Sequence, residues 1–341
     1  MDMDFKFTKD QYRDAIESFQ DLKVLVIGDL IFDRYTTVKV QGLTSKNQII
    51  SAKYYDQETH LGGAMAVYRH LKQFVCSVKI IGLIGKESWV DPLLAVNIPK
   101  DDNNIIRDES FTTVLKERFL EPRFEGKELI KLFSVNHVSD NAPPDSVQNA
   151  INDAIGRLIA SVDLVMIMDF GHGLFQERTR RLVEAQSPFL CLNCQTNSYN
   201  YGFNIISKRY KKADAFALDQ KEITLAVGER NFDEVKELEA LKEKLQSQYA
   251  WLTRGSIETI GLGGSSDISR CPPFAPEVTD TVGAGDAFFS LTSLCSVRGL
   301  PVELGTFIGQ LAGAQAVKIV GNARPISKNT ILEEGAQLLG G

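Results

Sequence analysis

The chain has 341 residues, of which 43% are hydrophobic and 24% are charged, so it can bury a large core. This composition excludes a disordered or collagen-like chain. The formal net charge of −6 argues against duplex nucleic acid as the main partner. No segment reaches the ~18 consecutive apolar residues that a membrane-spanning helix needs. Because the N-terminus also lacks the apolar core of a signal peptide, we expect a cytoplasmic protein with no membrane partner.

Short apolar runs alternate with amphipathic stretches along most of the chain. Near-continuous hydrophobicity is typical of strands that are buried on both faces. The runs predicted as strands are 23–28, 78–84, 162–169, 188–193, 213–218 and 249–253. Helical patterns lie between them, for example at 145–160 and 232–246. This order predicts an α/β fold, in a single domain over 1–341, whose parallel sheet carries helices on both sides.

Two segments, 34–56 and 111–133, interrupt this order. Both contain strand patterns in which polar and apolar residues alternate, and neither has a helix of its own. A small antiparallel sheet standing off the main domain explains them, and it would cover a site or pair with another subunit. Since exposed strand edges invite pairing, we expect a homodimer formed through these lid strands. Plain surface hairpins are the alternative.

The most informative motif spans 279–289, where a proline-rich loop opens into an apolar helical pattern. Gly283, Ala284 and Gly285 allow a tight turn without bulky side chains. The amide groups at the start of the following helix form a natural site for anionic oxygens. Asp286 can take a proton from a hydroxyl there while the amides stabilise a phosphoryl group in transit. An ordinary loop-to-helix junction is the alternative for these four residues alone.

The full string Asp-Thr-x-Gly-Ala-Gly-Asp at 280–286 resembles the C-terminal signature of the PfkB sugar-kinase family. The resemblance extends over about 23–330. The stretch 26–35 is similar to the first strand and lid entry of the branch that contains the bacterial heptose-7-phosphate kinases. The stretch 61–64 resembles the Gly-Gly turn of the family, and 116–118 lies where this branch has a Lys-x-Arg lid strand.

This resemblance implies a ribokinase-like three-layer sandwich with a small β lid. It also implies that ATP, together with Mg²⁺, donates its γ-phosphoryl group to a sugar hydroxyl. Asp286 would be the base and 283–285 the anion hole. Asp280 would lie near a monovalent-cation site, for example for K⁺, where the family has one. The residues implied at the nucleotide are Asp219, Glu222, Thr253, Gly255 and Gln310, with Glu222 meeting Mg²⁺ through water.

A second group of residues is expected to hold the acceptor. Carboxylates that follow a buried strand lie where α/β folds place ligands, paired glycines permit close approach of a sugar, and basic residues alternating on a strand can meet a phosphate. The alternatives are turn or capping aspartates, an ordinary turn before a helix and a solvated strand face; one of the aspartates is included by resemblance alone. The candidates are Asp29, Asp33, Gly62, Gly63, Lys116, Arg118 and Asp169.

The sequence departs from the family pattern mainly on this acceptor side. Ala66 replaces an asparagine, His172 replaces a lysine, and 193–195 read Asn-Cys-Gln in place of Asp-Pro-Lys. Asp219 opens the motif that normally begins with asparagine, and Glu258 brings a charge near the nucleotide loop. The phosphoryl-transfer motif itself is intact. We therefore expect a retained kinase architecture with an altered acceptor.

The working hypothesis is an ATP- and Mg²⁺-dependent kinase for a sugar or sugar phosphate, with a heptose-phosphate-like acceptor as one option. A catalytically degenerate domain that binds a sugar or nucleotide and regulates is the main alternative. A third option is the kinase half of a bifunctional kinase and nucleotidyltransferase, which rests on the resemblance alone.

Overall fold

The computed structural model describes residues 5–122, 129–264 and 267–340. The strands in chain order are β1 (Lys23–Gly28), β2 (Leu30–Leu43), β3 (Ile50–Gly63), β4 (Ser77–Ile84), β5 (Asn103–Arg107), β6 (Val114–Pro122), β7 (Leu129–His137), β8 (Leu164–Asp169), β9 (Leu190–Cys194), β10 (Ala215–Asp219), β11 (Tyr249–Thr253), β12 (Thr259–Leu262) and β13 (Ile268–Cys271).

The helices are α1 (Lys9–Glu17), α2 (Ala64–Leu71), α3 (Val90–Asn97), α4 (Asp145–Leu158), α5 (Glu177–Gln186), α6 (Ile206–Arg209), α7 (Gln220–Val227), α8 (Glu234–Lys244), α9 (Ala284–Val297), α10 (Val302–Ala316) and α11 (Lys328–Leu338). Short 3-10 turns lie at Ile159–Ser161 and Val320–Asn322. Within the described residues, no helix combines the length and the apolar character needed to cross a bilayer.

A nine-stranded sheet in the order β13-β12-β11-β10-β9-β8-β1-β4-β5 forms the centre of the fold. Its strands pair in parallel except at β11-β12 and β12-β13, which are antiparallel. Helix α9 contacts α2 and α10, and α10 contacts α11. Two other pairs of helices also contact each other, α4 with α5 and α7 with α8. The expected α/β fold with a mostly parallel sheet is confirmed. Every predicted strand run overlaps an observed strand, because buried parallel strands leave a clear apolar signature.

A separate four-stranded sheet, here called the lid sheet, has the order β3-β2-β6-β7. It contains most of the segments 34–56 and 111–133, while 123–128 lie outside the described residues. The expectation that this sheet is antiparallel is wrong at one pair, because β2 and β6 run parallel. The long connection through β3, α2, β4, α3 and β5 separates these two strands, and a parallel pair requires such a crossover.

The fold brings two features to one edge of the central sheet. The carboxyl ends of β9, β10 and β11 lie beside the start of α9, a helix that is buried along almost its whole length. Ligands of open α/β sheets bind outside the carboxyl ends of the strands. The lid sheet reaches the same edge through β2 and β6, so the candidate site lies between the two sheets.

Candidate active site

The glycine-rich turn before α9 is shaped by its backbone. Gly283 is the N-cap of the helix with φ 85°, a conformation that side chains disfavour, and a Cβ there would overlap the side chain of Asn322. Gly285, in contrast, has no atom within 4 Å of an added Cβ, because it faces open space. The first N–H groups of a helix have no partner within it, so this turn presents donors and the positive end of the helix dipole. Of these amides, that of Ala284 also donates to the carbonyl oxygen of Thr281 at 3.4 Å.

A cavity of about 690 Å³ opens in front of this turn, within the range of small-molecule sites. It is lined by residues from both sheets and from α7, α9 and α10. The predicted site residues among them are Asp33, Gly63, Lys116, Arg118, Asp219, Glu222, Thr253, Gly255, Gly283, Ala284, Gly285, Asp286 and Gln310. A second cavity of about 810 Å³ lies between α1 and the start of α10 and contains none of the predicted residues.

Asp286 lies in the first turn of α9, 8% exposed, with its carboxylate at the cavity. Burial raises its pKa to about 6, and the nearby Asp33 acts in the same direction, whereas the Gln195 hydrogen bond and Lys116 oppose the rise. Gln195 Nε2 donates to Asp286 Oδ1 at 3.1 Å and to Asn193 Oδ1 at 2.7 Å. The amide therefore holds the carboxylate in one orientation, which suits a general base that works near neutral pH.

The part of the cavity beyond Gly255 is largely apolar. Its walls include Phe274, Ala275, Val278, Ala314 and Val317. Gln310 Nε2 donates to the carbonyl oxygen of Cys271 at 2.9 Å, which fixes this amide at the wall. Thr253 Oγ1 donates to the carbonyl oxygen of Leu218 at 3.3 Å. This combination of apolar walls and a few fixed polar groups suits a planar base attached to a phosphate chain.

The two carboxylates at the start of α7 form a capping box. Asp219 accepts from the amides of Lys221 and Glu222, and Glu222 Oε2 accepts from the amide of Asp219 at 2.8 Å. Burial, with the nearby Asp219 charge, raises the pKa of Glu222 to about 8. Within the part of the chain that the structure describes, no cluster of three or more His, Cys, Asp or Glu could hold a metal. This donor set fits Mg²⁺, which binds one or two carboxylates together with substrate phosphates and water.

The lid sheet contributes basic side chains opposite Asp286. Arg118 forms an ion pair with Asp33, and its guanidinium lies 5.5 Å from the ring centre of Tyr35. Lys116 Nζ lies 5.6 Å from the ring centre of Phe170, and burial lowers its pKa despite the nearby carboxylates. Asp33 therefore pairs with Arg118 and also lines the cavity. The parallel pairing of β2 and β6 places Lys116 beside Asp33 and explains how strands distant in sequence meet here.

Three of the residues expected to hold the acceptor, Asp29, Gly62 and Asp169, do not line the cavity. Asp29 is 3% exposed, and its Oδ2 accepts from the amides of Phe170 and His172. Burial and the charge of Asp169 raise the pKa of Asp29 to about 7. Because its bonds fix the loop after β8, the structure gives Asp29 a supporting role rather than direct contact with the cavity.

Asp169 is likewise a structural anchor, with its side chain almost fully buried. It accepts from the hydroxyl of Tyr210 at 2.7 Å and from Arg209 Nε at 3.3 Å, and its other oxygen accepts from the amide of Gly171. Gly62 also lies outside the cavity lining, but a Cβ there would overlap the carboxylate of Asp33. Its small size therefore makes room for a residue that does line the cavity.

Asp280 does not fit the expected monovalent-cation site. Its Oδ2 accepts from the hydroxyl of Tyr35 at 2.8 Å and from the amide of Gly321 at 3.1 Å. Its Oδ1 accepts from Lys131 Nζ at 3.1 Å and from the amide of Val282 at 3.3 Å. A carboxylate offers about four lone-pair positions, and all four have a donor here. The carboxylate therefore has no free position for K⁺.

The structure shows the surroundings of two residues that depart from the family pattern, Glu258 and His172. The carboxylate of Glu258 accepts from Arg254 at 2.7 Å and from Arg270 at 2.6 Å, so its charge is balanced away from the cavity. His172 is buried and stacks on Tyr199, and burial, with the Lys116 charge, lowers its pKa to about 4. At neutral pH the imidazole is therefore uncharged, in contrast to the lysine of the family pattern.

Three contacts at this site were not predicted from the sequence. Gln195 holds Asp286, Asn322 packs against Gly283, and Lys131 pairs with Asp280. In the sequence, Gln195 stands out only as a departure from Asp-Pro-Lys, and its place as a polar residue directly after a buried strand is the signal that points to a ligand site. No neighbouring residue in the sequence indicates the roles of Asn322 and Lys131, because the residues that they contact lie far away in the chain.

Comparisons with known proteins find similarity to carbohydrate kinases. Residues 195–329 match the model of the pfkB family carbohydrate kinases. The chain is 25% identical over 309 residues to bifunctional protein HldE of Helicobacter hepaticus, covering 88% of the chain and 61% of that protein. It is 26% identical over 329 residues to bifunctional protein HldE of Koribacter versatilis, covering 92% and 63%. The chain thus spans less than two thirds of these relatives.

Solved structures give the same fold. Phosphofructokinase-2 from Escherichia coli, in complex with substrates and products, superposes with a TM-score of 0.71 at 14% identity and covers 93% of this chain and 99% of its own. Arabidopsis thaliana ribokinase, complexed with ribose and ATP, gives 0.67 at 16% identity, covering 94% and 99%. The resemblance to the PfkB family and the ribokinase-like fold are both confirmed.

Proposed function

We propose that this chain transfers the γ-phosphoryl group of ATP to a hydroxyl of a sugar or sugar phosphate. The observation that carries the proposal is Asp286, a buried carboxylate in the first turn of α9, facing the cavity beside the glycine turn. A base and an anion-stabilising helix start in one cavity are what phosphoryl transfer to an alcohol requires. The matched pfkB family model and the ribokinase-like neighbours support the same class.

The nucleotide would lie along α10 with its base among the apolar walls near Gln310. Its phosphates would extend toward the amides of Gly283 and Gly285, where the helix dipole favours negative charge. Asp219 and Glu222 would hold Mg²⁺ through water, and this ion supplies positive charge to the phosphate oxygens. Glu222 carries a raised pKa of about 8, and a nearby cation would favour its ionised form.

The acceptor would lie between α9 and the lid sheet. Asp286 takes the proton of its hydroxyl, and Gln195 keeps the carboxylate oriented toward the reacting group. Lys116 and Arg118 line the same cavity and supply positive charge opposite the base. Because these two side chains suit an anionic group, we propose that the acceptor carries a phosphate, as in a heptose phosphate.

The test replaces Asp286 by asparagine, which keeps the shape but cannot accept the proton. We expect Asp286→Asn to lower ADP formation by roughly 10²–10⁴-fold, whereas its affinity for ATP changes little. Coupled ADP assays over hexoses, heptoses and their phosphates, with calorimetry of ATP binding, would measure both. Asp145→Asn, an exposed position in the first turn of α4, is the matched control. Wild-type turnover by Asp286→Asn would contradict the proposal.

The same panel separates the alternative functions. A wild-type chain that binds a sugar or nucleotide saturably but forms no ADP with any acceptor would instead be a kinase-like binding domain. The HldE relatives are described as bifunctional, and the chain spans only part of their length. We therefore include a second activity elsewhere in a longer protein as a proposal, to be tested by assaying nucleotidyl transfer with the full-length protein.

We also propose a homodimer that forms through the lid sheet. Both edge strands, β3 and β7, lack a neighbour on one side within the described sheet. Large apolar side chains are exposed there, including Ile50, Tyr54, Tyr55 and Phe133. Exposed edges with apolar side chains favour pairing between copies. Sedimentation equilibrium should give a dimer for the wild type and a monomer for Phe133→Asp, and a monomeric wild type would contradict this proposal.

A further inference from the structure

The carboxylate of Asp280 links three parts of the molecule that are distant in sequence. Tyr35 donates to it from β2, Lys131 from β7, and Gly321 from the turn after α10. Its Oδ1 also accepts from the amide of Val282, one residue before the glycine turn. Asp280 therefore holds the phosphate-binding turn against the lid sheet through a fully occupied set of hydrogen bonds.

The charge of this carboxylate also needs a partner. The Asp280 side chain is 4% exposed, and burying an ionised carboxylate is costly unless a cation and hydrogen bonds compensate. Burial alone would raise its pKa, but the bonds from Tyr35 and Lys131 and the lysine charge keep the pKa below its ordinary value. The carboxylate is thus ionised at neutral pH, and the ammonium of Lys131, 3.1 Å away, balances it.

Lys131 lies between solvent and the buried carboxylate of Asp280. Its side chain is 50% exposed, so the site of the ammonium can be reached from solvent, while Asp280 lies inside. A single positive charge placed here has direct contact with the carboxylate that orders the turn. A monovalent metal ion at the same point would compete with the ammonium for Oδ1.

We propose that the Lys131 ammonium occupies the place of a monovalent cation beside the phosphate-binding turn, so that the protein needs no K⁺. The expectation of a cation site at this turn rests on the proposed kinase function. The ion pair between Lys131 and Asp280 does not depend on that function. Removing the ammonium should free one position on Oδ1 and open the site to K⁺ from solvent.

Thermal unfolding of the full chain tests this without any substrate. Melting temperatures would be measured while K⁺ replaces tetramethylammonium at constant ionic strength. We expect no saturable change for the wild type and a saturable rise of about 2–3 °C for Lys131→Met, as for a ligand that binds only the folded state. Lys131→Arg keeps the charge and should behave like the wild type. Lys53→Met, on β3 of the same sheet, is the matched control.

Two results would overturn the proposal. A saturable, K⁺-specific stabilisation of the wild type would show that K⁺ binds despite Lys131. The absence of any K⁺ response in Lys131→Met would show that the ammonium does not stand at a cation position.

Turnover assays form a second arm, with activity of Lys131→Met expected to fall without K⁺ and to recover with it. If the wild type turns over no acceptor, the proposed function fails, while the melting experiment still decides the role of Lys131.

Discussion

At the scale of single residues, Gln195 modulates the pKa of Asp286, and with it the pH range in which Asp286 can act as a base. Its hydrogen bond lowers the pKa of Asp286 against the larger effect of burial, and the balance lies at about 6. The acid limb of kcat/KM, which reports the free enzyme, should therefore fall near pH 6. In Gln195→Ala the pKa of Asp286 should rise, so that this limb moves to higher pH. Rate profiles between pH 5 and about 9 would measure the shift.

Gln195→Lys provides the opposite case at the same position. A positive charge next to Asp286 favours its ionised form, so the acid limb should move to lower pH than in the wild type. Opposite displacements in the two variants identify an effect on the base itself. A uniform loss of rate with an unchanged pH profile in both variants would instead mean that Gln195 only supports the local structure.

The residues of the phosphoryl-transfer turn could be predicted because their signal is local. Glycines beside an acidic residue at the start of a helix fall within one short string at 283–286. The contact between Gln195 and Asp286 could not, since the two residues are 91 positions apart and meet only after β9 and α9 are packed together. Asp29 is a related case. Its position after a strand predicts contact with a ligand, but only the fold shows that its Oδ2 accepts from two backbone amides.

At the scale of elements, the start of α9 combines two glycines with different requirements. Gly283 has φ 85° and no room for a side chain, so Gly283→Ala should destabilise the fold by about 1–3 kcal/mol through strain and overlap with Asn322. Gly285 is free of neighbours because it faces the cavity. Gly285→Ala should therefore fold normally and lose affinity for ATP, since its methyl group enters the space for the phosphates.

Chemical denaturation and ATP titration of both variants would separate the two effects. Gly264→Ala, at a glycine that also has open space around it but lies outside the cavity, is the control for adding a methyl group. Equal ATP affinity in Gly285→Ala and the wild type would contradict the placement of phosphates at this turn. Wild-type stability of Gly283→Ala would show that the turn can relax around Asn322.

In the lid sheet, sequence patterns predict the strands but not how the strands pair. Alternation in 34–56 and 111–133 predicts strands, and the structure contains strands in both segments. The pairing of β2 with β6 in parallel was missed, because alternation identifies the face of a strand but not its neighbour or direction. This pairing brings Lys116 and Arg118 to Asp33 and to the cavity. The arrangement of the acceptor end therefore follows from topology rather than from any motif.

At the scale of the whole molecule, buried carboxylates make the free energy of unfolding depend on pH. Asp29, Glu222 and Asp286 have pKa values raised to about 7, 8 and 6 in the fold. A carboxyl group whose pKa is raised by folding contributes stability below its unfolded pKa, and this contribution is lost as pH rises through the folded value. His70 and His172, whose pKa values are lowered to about 3 and 4, act in the opposite direction below pH ~6.5.

Asp29 is the best place to measure how a buried carboxylate changes stability with pH. Asp29→Asn keeps an oxygen for the amides of Phe170 and His172 while removing the charge. Relative to this variant, the wild type should lose stability between about pH 4 and 7, by at most ~1.4 kcal/mol per pH unit. The histidines contribute equally to both proteins, so the difference between their urea unfolding curves isolates Asp29. Asp145→Asn should follow the wild type at every pH. Parallel pH dependences for wild type and Asp29→Asn would mean that Asp29 is ionised in the fold at little cost, and that the loop after β8 tolerates a buried charge.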